Sequence, residues 1–124
     1  MIRLAVTFQE RGLERFIEGV SLEAFTDAFE AVLRERGLRT FRRNMPRDKG
    51  ELRRALRLDR KGNTLTVSID RAIAPRAHLY RWRRSGPVGF PHVQQILNVV
   101  SRRNLRRWID DAIRRQTEAL EQGA

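Results

Sequence analysis

Hydrophobic and polar positions alternate from the first residues of the chain: Ile2, Leu4, Val6 and Phe8 are separated by Arg3, Ala5 and Thr7. A period of two predicts a strand with one face buried. Gly12 interrupts the pattern, and Leu13 to Gly19 reads as either a helical turn or a loop. Ser21 then offers a side-chain oxygen as an N-cap. Leu22, Phe25, Phe29, Val32 and Leu33 follow at helical spacing, with Ala28 and Arg36 on the same stripe. Gly37 weakens this helix, and Leu38 and Phe41 carry it toward Asn44. Pro46 ends it, because the proline ring disfavours a helical conformation at Met45.

A turn over 46–50 leads into Glu51–Leu58. Leu56 and Leu58, then Leu65, Val67 and Ile69, predict two strands around Asp59-Arg60-Lys61-Gly62-Asn63. Gly62 and Asn63 tolerate the positive φ that a tight hairpin demands. Ala72–Trp82 reads as a third strand, with Pro75 confined to its edge or start. Ser85 to Pro91 holds two glycines and two prolines and is a loop. From His92 to about Glu121 the period is helical again. Val93, Ile96, Leu97 and Val100 form one stripe, and Leu105, Trp108, Ile109, Ala112, Ile113 and Leu120 the next. The register slips at Ser101–Asn104, which leaves one helix or two. A ladder of Arg106/Asp110, Arg107/Asp111, Asp110/Arg114 and Asp111/Arg115 lies at i,i+4 spacing, where opposite charges support a helix. The expected fold is a single α+β domain over 1–124, with a basic helix–turn–hairpin at 34–84. A small antiparallel sheet would lie against a long helix of the N-terminal half and a C-terminal helical segment. A chain of 124 residues suits one such core.

Charge sharpens the picture through its distribution. The net charge is +11, yet residues 1–33 hold three arginines against six acids. Residues 34–84 carry 17 basic residues against five acids, and residues 85–124 six against four. A basic block of this kind faces a polyanion or an acidic partner. Of 26 basic residues only Lys49 and Lys61 are not arginine. Phosphate or carboxylate recognition explains that bias, and so does a GC-rich genome. There is no cysteine, which excludes disulfides, thiolate nucleophiles and cysteine-ligated metal. No apolar run approaches the roughly 20 residues of a membrane-spanning helix. The alternating N-terminus is not the apolar block of a signal peptide, so a cytoplasmic origin is expected.

Catalytic chemistry finds little support in the residue pattern, and neither an enzyme nor a cofactor is expected. His78 and His92 have no carboxylate at ligand spacing. Asp110 and Asp111 are neighbours on a helix, about 100° apart, and make poor acid–base partners. The serines lack a nucleophile-elbow context. Phosphate contact is the better-supported chemistry: Arg39, Arg42, Arg43, Arg47, Lys49, Arg53, Arg54 and Arg57 crowd one helix end, a turn and the start of a strand. Arg76, Arg81, Arg83 and Arg84 interleave with Tyr80 and Trp82, whose rings serve either base stacking or, as the more economical reading, a core or subunit contact. No helix-turn-helix, zinc-finger or ribonucleoprotein motif supports base-specific readout.

The stretch Met45-Pro46-Arg47-Asp48-Lys49-Gly50-Glu51-Leu52 resembles the Ala-Pro-x-Asp-x-Gly-x-Leu junction of small neck and tail-completion proteins of tailed bacteriophages. It matches at Pro46, Asp48, Gly50 and Leu52, and Arg53 and Arg54 follow as they often do in that family. Proline stops the helix, aspartate accepts backbone N–H groups in the turn, glycine supplies unusual dihedrals, and leucine returns to the core. The chain departs from the family after the hairpin. It has Ala77-His78-Leu79-Tyr80-Arg81-Trp82 in place of a Tyr-Ala pair and an acidic-aromatic-Gly stretch, and Gly89-Phe90-Pro91 matches the Arg-Pro-Phe loop loosely. The resemblance implies a structural virion protein, assembled in the host bacterial cytoplasm. It implies a sixfold or twelvefold ring of copies at the head–tail junction, touching other neck, portal or tail proteins. The basic segment would line the DNA channel or a subunit interface. Gly86, Pro87, Val88, Gly89, Phe90 and Pro91 would form a docking loop. The alternative is a non-specific nucleic-acid-binding protein driven by phosphate contacts.

Overall fold

A computed structural model of the chain describes residues 2–13, 19–45, 51–74 and 93–122. Its elements run β1 (Arg3–Thr7), α1 (Glu10–Leu13), α2 (Leu22–Val32), a π-helical segment (Leu33–Gly37), α3 (Leu38–Arg43), α4 (Glu51–Ala55), β2 (Leu56–Lys61), β3 (Thr64–Ile69) and α5 (Val93–Gln122). The class is α+β: a three-stranded antiparallel sheet, a helix over 22–43 and a C-terminal helix. The turn expected at 46–50, residues 75–82 of the strand expected over 72–82 and the loop expected at 85–91 lie outside the described residues.

The sheet order is β1-β3-β2, with β1 and β2 both antiparallel to the central β3. Alternation decides its faces. Leu56, Leu58, Leu65, Val67 and Ile69 are buried, while Arg57, Asp59 and Lys61 are exposed. The hairpin turn is tighter than the Asp59–Asn63 turn expected: Asp59 to Lys61 stay in β2, Lys61 pairs with Thr64, and Gly62 takes φ +61°. A left-handed dihedral of this kind lets two residues reverse the chain.

Two expectations about the sheet are corrected. Among the described residues its third strand is β1, and the strand expected over Ala72–Trp82 does not begin at Ala72: the Ile73 and Ala74 N–H groups donate back to the Asp70 carbonyl in a turn (3.2 and 2.9 Å). Residues 51–55 are helical instead of extended. Leu52 and Ala55 are both buried, and their three-residue spacing puts them on one helical face.

Ser21 caps α2 as its type predicts, its Oγ accepting the Ala24 N–H at 3.1 Å. Phe25, Phe29, Val32, Leu33, Leu38 and Phe41 then run through the core. The helix crosses Gly37 with one π-type turn, in which the Leu38 N–H donates to the Leu33 carbonyl five residues back. The extra residue in that turn returns Leu38 and Phe41 to the buried face after Leu33. Gly37 has helical dihedrals, so its role is space: a Cβ there would stand 2.6 Å from Leu33 Cδ2. The slip at Ser101–Asn104 does not break α5, which is one helix of 30 residues. Leu120, placed on its apolar stripe by spacing, is 49% exposed because the helix has outrun the core.

Gly37→Ala should destabilise the protein by up to about 2 kcal/mol, the cost of displacing the buried Leu33 methyl (roughly 1–3 kcal/mol) being set against the roughly 1 kcal/mol helix-propensity gain. Chemical denaturation measures it, and a more stable variant would contradict the close contact.

Candidate functional site

The helix over 22–43 and α5 lie antiparallel, as three contacts in descending order show. Glu35 meets Arg115 at 2.5 Å, Arg36 meets Asp111 at 2.7 Å, and the Phe41 and Trp108 rings lie 5.6 Å apart. These contacts replace much of the expected ladder. Asp111 and Arg115 pair across the seam instead of with each other, and Arg114 reaches Asp111 at i,i+3 (3.5 Å). Arg106–Asp110 survives as an exposed i,i+4 pair at 3.5 Å. The seam also explains Arg36: a residue on the apolar stripe by spacing, it is exposed and turns its guanidinium to Asp111.

A second ionic tie joins hairpin and helix. Period two places Arg60 on the inner face of β2 with Leu56 and Leu58, at the strand's far end. There its guanidinium contacts Asp27 and reaches Glu30 at 3.2 Å, and Glu30 also holds Arg34 at 2.9 Å. The hydrogen bond to Asp27 raises the Arg60 pKa above the ordinary arginine value. The hydrogen bond with Glu35 does the same for Arg115. Both depend on position in the fold more than on chain spacing, so the sequence reading missed them.

The predicted basic residues separate into distinct groups. Arg39, Arg42 and Arg43 are exposed at the end of the long helix. The Arg42 Nε–H donates to the Arg53 carbonyl at 3.4 Å, which seats α4 beside that end. Leu52 is buried there, Arg53 is partly buried and Arg54 is exposed. Arg57 stands apart on β2 and pairs with Asp70 at 2.6 Å. Pro46, Arg47, Asp48, Lys49 and Gly50, the loop Gly86–Pro91, His78, His92, Tyr80 and Trp82 lie outside the described residues. Sequence reasoning passed over Arg102 and Arg103 and assigned Arg107 to the ladder with Asp111. All three are exposed on α5, beside and just beyond the end of the long helix, and no acid occurs between Val93 and Ile109.

Compared with known protein families, characterised proteins and solved structures, the chain matches none. Function must therefore be argued from this surface and its chemistry. Among the described residues no cluster of three or more histidines, aspartates or glutamates is arranged to hold a metal ion. No helix among them is long and apolar enough to cross a membrane. One surface depression, of about 430 Å³, is lined by Glu23, Arg60, Gly62 and Asn63. Another, of about 250 Å³, is lined by Thr7, Phe8, Gln9, Gly12, Leu13 and Phe25. Neither lining contains a histidine or a pair of carboxylates. What the described surface concentrates is guanidinium, which binds phosphate and carboxylate through forked donors.

Two carboxylates link the ion pairs to acid stability. The Glu35 pKa is lowered, first by its hydrogen bond with Arg115. That of Asp70 is lowered first by the Ala72 N–H and then by Arg57. A depressed native pKa means stability fully present above the ordinary carboxylate range and lost as pH falls through the native values. Denaturation midpoints followed from pH ~7 to pH ~3 should fall less steeply in Glu35→Gln and Asp70→Asn than in the parent protein. Identical acid limbs would rule out this linkage.

Proposed function

We propose that the protein is a structural subunit of a tailed-bacteriophage virion, one of a ring of copies at the head–tail junction around the DNA channel. The observation that carries the reading is the hand-over after the long helix. The helix ends at Arg43 with Met45 buried, the chain returns to the core at Leu52, and a short helical turn delivers it into the β2–β3 hairpin. The same order accompanies the Pro46-x-Asp48-x-Gly50-x-Leu52 match to the neck and tail-completion family. The two helices also form a firm frame, with exposed arginines gathered at one of its ends.

A simple acid-to-base contact between copies has less material than the net charges of the chain thirds suggest. Asp27 and Glu30 are engaged within the subunit by Arg60 and Arg34. Of the described acids in the first 33 residues, this leaves Glu10 and Glu23 outside intramolecular ion pairs. A free-standing nucleic-acid-binding protein is the second reading, supported by the exposed arginines at one end of the helix pair.

Particle composition separates the two. Tailed particles purified from the producing cells should contain this protein at a fixed copy number, a multiple of six, by quantitative mass spectrometry. Deleting its gene should leave filled heads without joined tails. Absence from particles, or production in cells that harbour no phage, overturns the proposal.

A further inference from the structure

We propose that the C-terminal end of α3 and the adjoining middle stretch of α5 form one continuous surface for the phosphate backbone of duplex DNA, with Arg102, Arg103 and Arg107 as its second half. The inference rests on the assembly reading for its choice of DNA as the polyanion. The Phe41–Trp108 contact at 5.6 Å fixes the level of the two helices. Because they are antiparallel, residues 102–107 lie beside and just beyond residues 39–45.

Three observations favour phosphate as the occupant. First, the two helical stretches that carry these arginines, Gly37–Met45 and Val93–Ile109, contain neither Asp nor Glu. Second, among the described residues, Arg39, Arg42, Arg43, Arg102, Arg103 and Arg107 form no ion pair. The nearby carboxylates Glu35, Asp110 and Asp111 are engaged by Arg115, Arg106, Arg36 and Arg114. Third, the flanking asparagines are turned inward. Asn44 Nδ2 donates to the Thr40 carbonyl at 2.9 Å and Asn104 Nδ2 to the Val100 carbonyl at 2.8 Å. Amide forks that read adenine need that donor free. The surface thus offers guanidinium charge with neither flanking asparagine amide free to read adenine, a combination that suits phosphate contact. Arg102 to Arg107 spans about 7.5 Å of helix, against one phosphate charge per roughly 1.7 Å of duplex axis, so several contacts fit at once. An acidic face of a second copy is the competing occupant. Asp27, Glu30 and Glu35 are already paired within the chain, which leaves Glu10, Glu23, Asp59, Glu118 and Glu121 as the described acids such a face would have to draw on.

The test is the salt dependence of binding to a labelled duplex of random sequence, measured by fluorescence anisotropy on the full chain. Each arginine lost from a phosphate contact lowers the slope of log K against log salt by about one. R102Q/R103Q/R107Q should lower it by about three, and R39Q/R43Q, on the other helix, by about two. The control R11Q/K61Q should leave it unchanged. Lys61 adjoins the hairpin turn, which meets Phe8 through the Asn63 carbonyl (3.1 Å) and so lies near Phe25 and Phe29, about 18 Å of helix from Phe41. Circular dichroism of each variant confirms that it is folded, and the two-residue variant carries the test if the triple one is not. Unchanged slopes in folded variants overturn the proposal. So does a parent protein that ignores DNA but self-associates through these arginines in sedimentation, which would make the surface a contact between copies. DNA binding by a protein absent from virions would fell the assembly reading and leave this surface standing. Presence in virions without DNA binding would do the reverse.

Discussion

The seam between the long helix and α5 is the constraint on which the other features depend. It is apolar where Phe41 meets Trp108, with Met45, Leu97 and Val100 also buried in the same core. One turn away it is ionic, at Glu35–Arg115 and Arg36–Asp111. The apolar contact supplies most of the free energy, since exposed ion pairs contribute little to stability. The ion pairs supply register: slipping one helix by a turn past the other would bring Arg36 away from Asp111 and toward Arg107. The sheet is fastened to this frame at both edges. Arg60 of β2 holds the Asp27–Glu30 face of α2. The Gln94 side chain of α5 accepts the Arg3 N–H at 3.0 Å and donates to the Arg3 carbonyl at 2.9 Å, so it occupies the open edge of β1 as a neighbouring strand would. A side-chain amide placed so satisfies two backbone groups that an edge strand otherwise exposes.

Much of this was legible in the chain because local patterns dictate it. Ile2–Phe8, Leu56–Leu58 and Leu65–Ile69 each alternate, and the structure makes strands of them. Phe25, Phe29, Val32 and Leu33 recur at helical spacing, and so do Val93, Ile96, Leu97 and Val100. What was not legible is nonlocal. The place of β1 beside β3 depends on pairings more than fifty residues apart, which no local period encodes. Residues 51–55 fit a strand or a helix equally well by pattern, and the burial of Leu52 together with Ala55 selects helix. Asp111 and Arg115 sit at ideal i,i+4 spacing, and only the neighbouring helix reveals that each has a better partner. Arg102 and Arg103, and Arg107 as anything more than a ladder partner of Asp111, escaped notice for an arithmetic reason. Asp110, Asp111, Glu118 and Glu121 cancel most of their charge in a segment total, although these acids follow the arginines along α5.

The distribution of those charges along the seam bears on the proposed function. A helix pair selected for stability alone would spread its acids so that each arginine has a counter-charge. Here the described carboxylates near the seam stand on the side of Glu35 and Asp111, while Arg39, Arg42, Arg43, Arg102, Arg103 and Arg107 face one another's fields without relief. Like charges gathered in this way oppose the compact state. Phe41 and Trp108 are buried at this level, and apolar burial of that kind opposes the repulsion. A local rule broken with its compensation alongside is what a surface kept for a ligand looks like. Under the proposed reading a phosphate backbone would neutralise these arginines on contact, and binding to the native state alone would make the seam sturdier with that partner than without it.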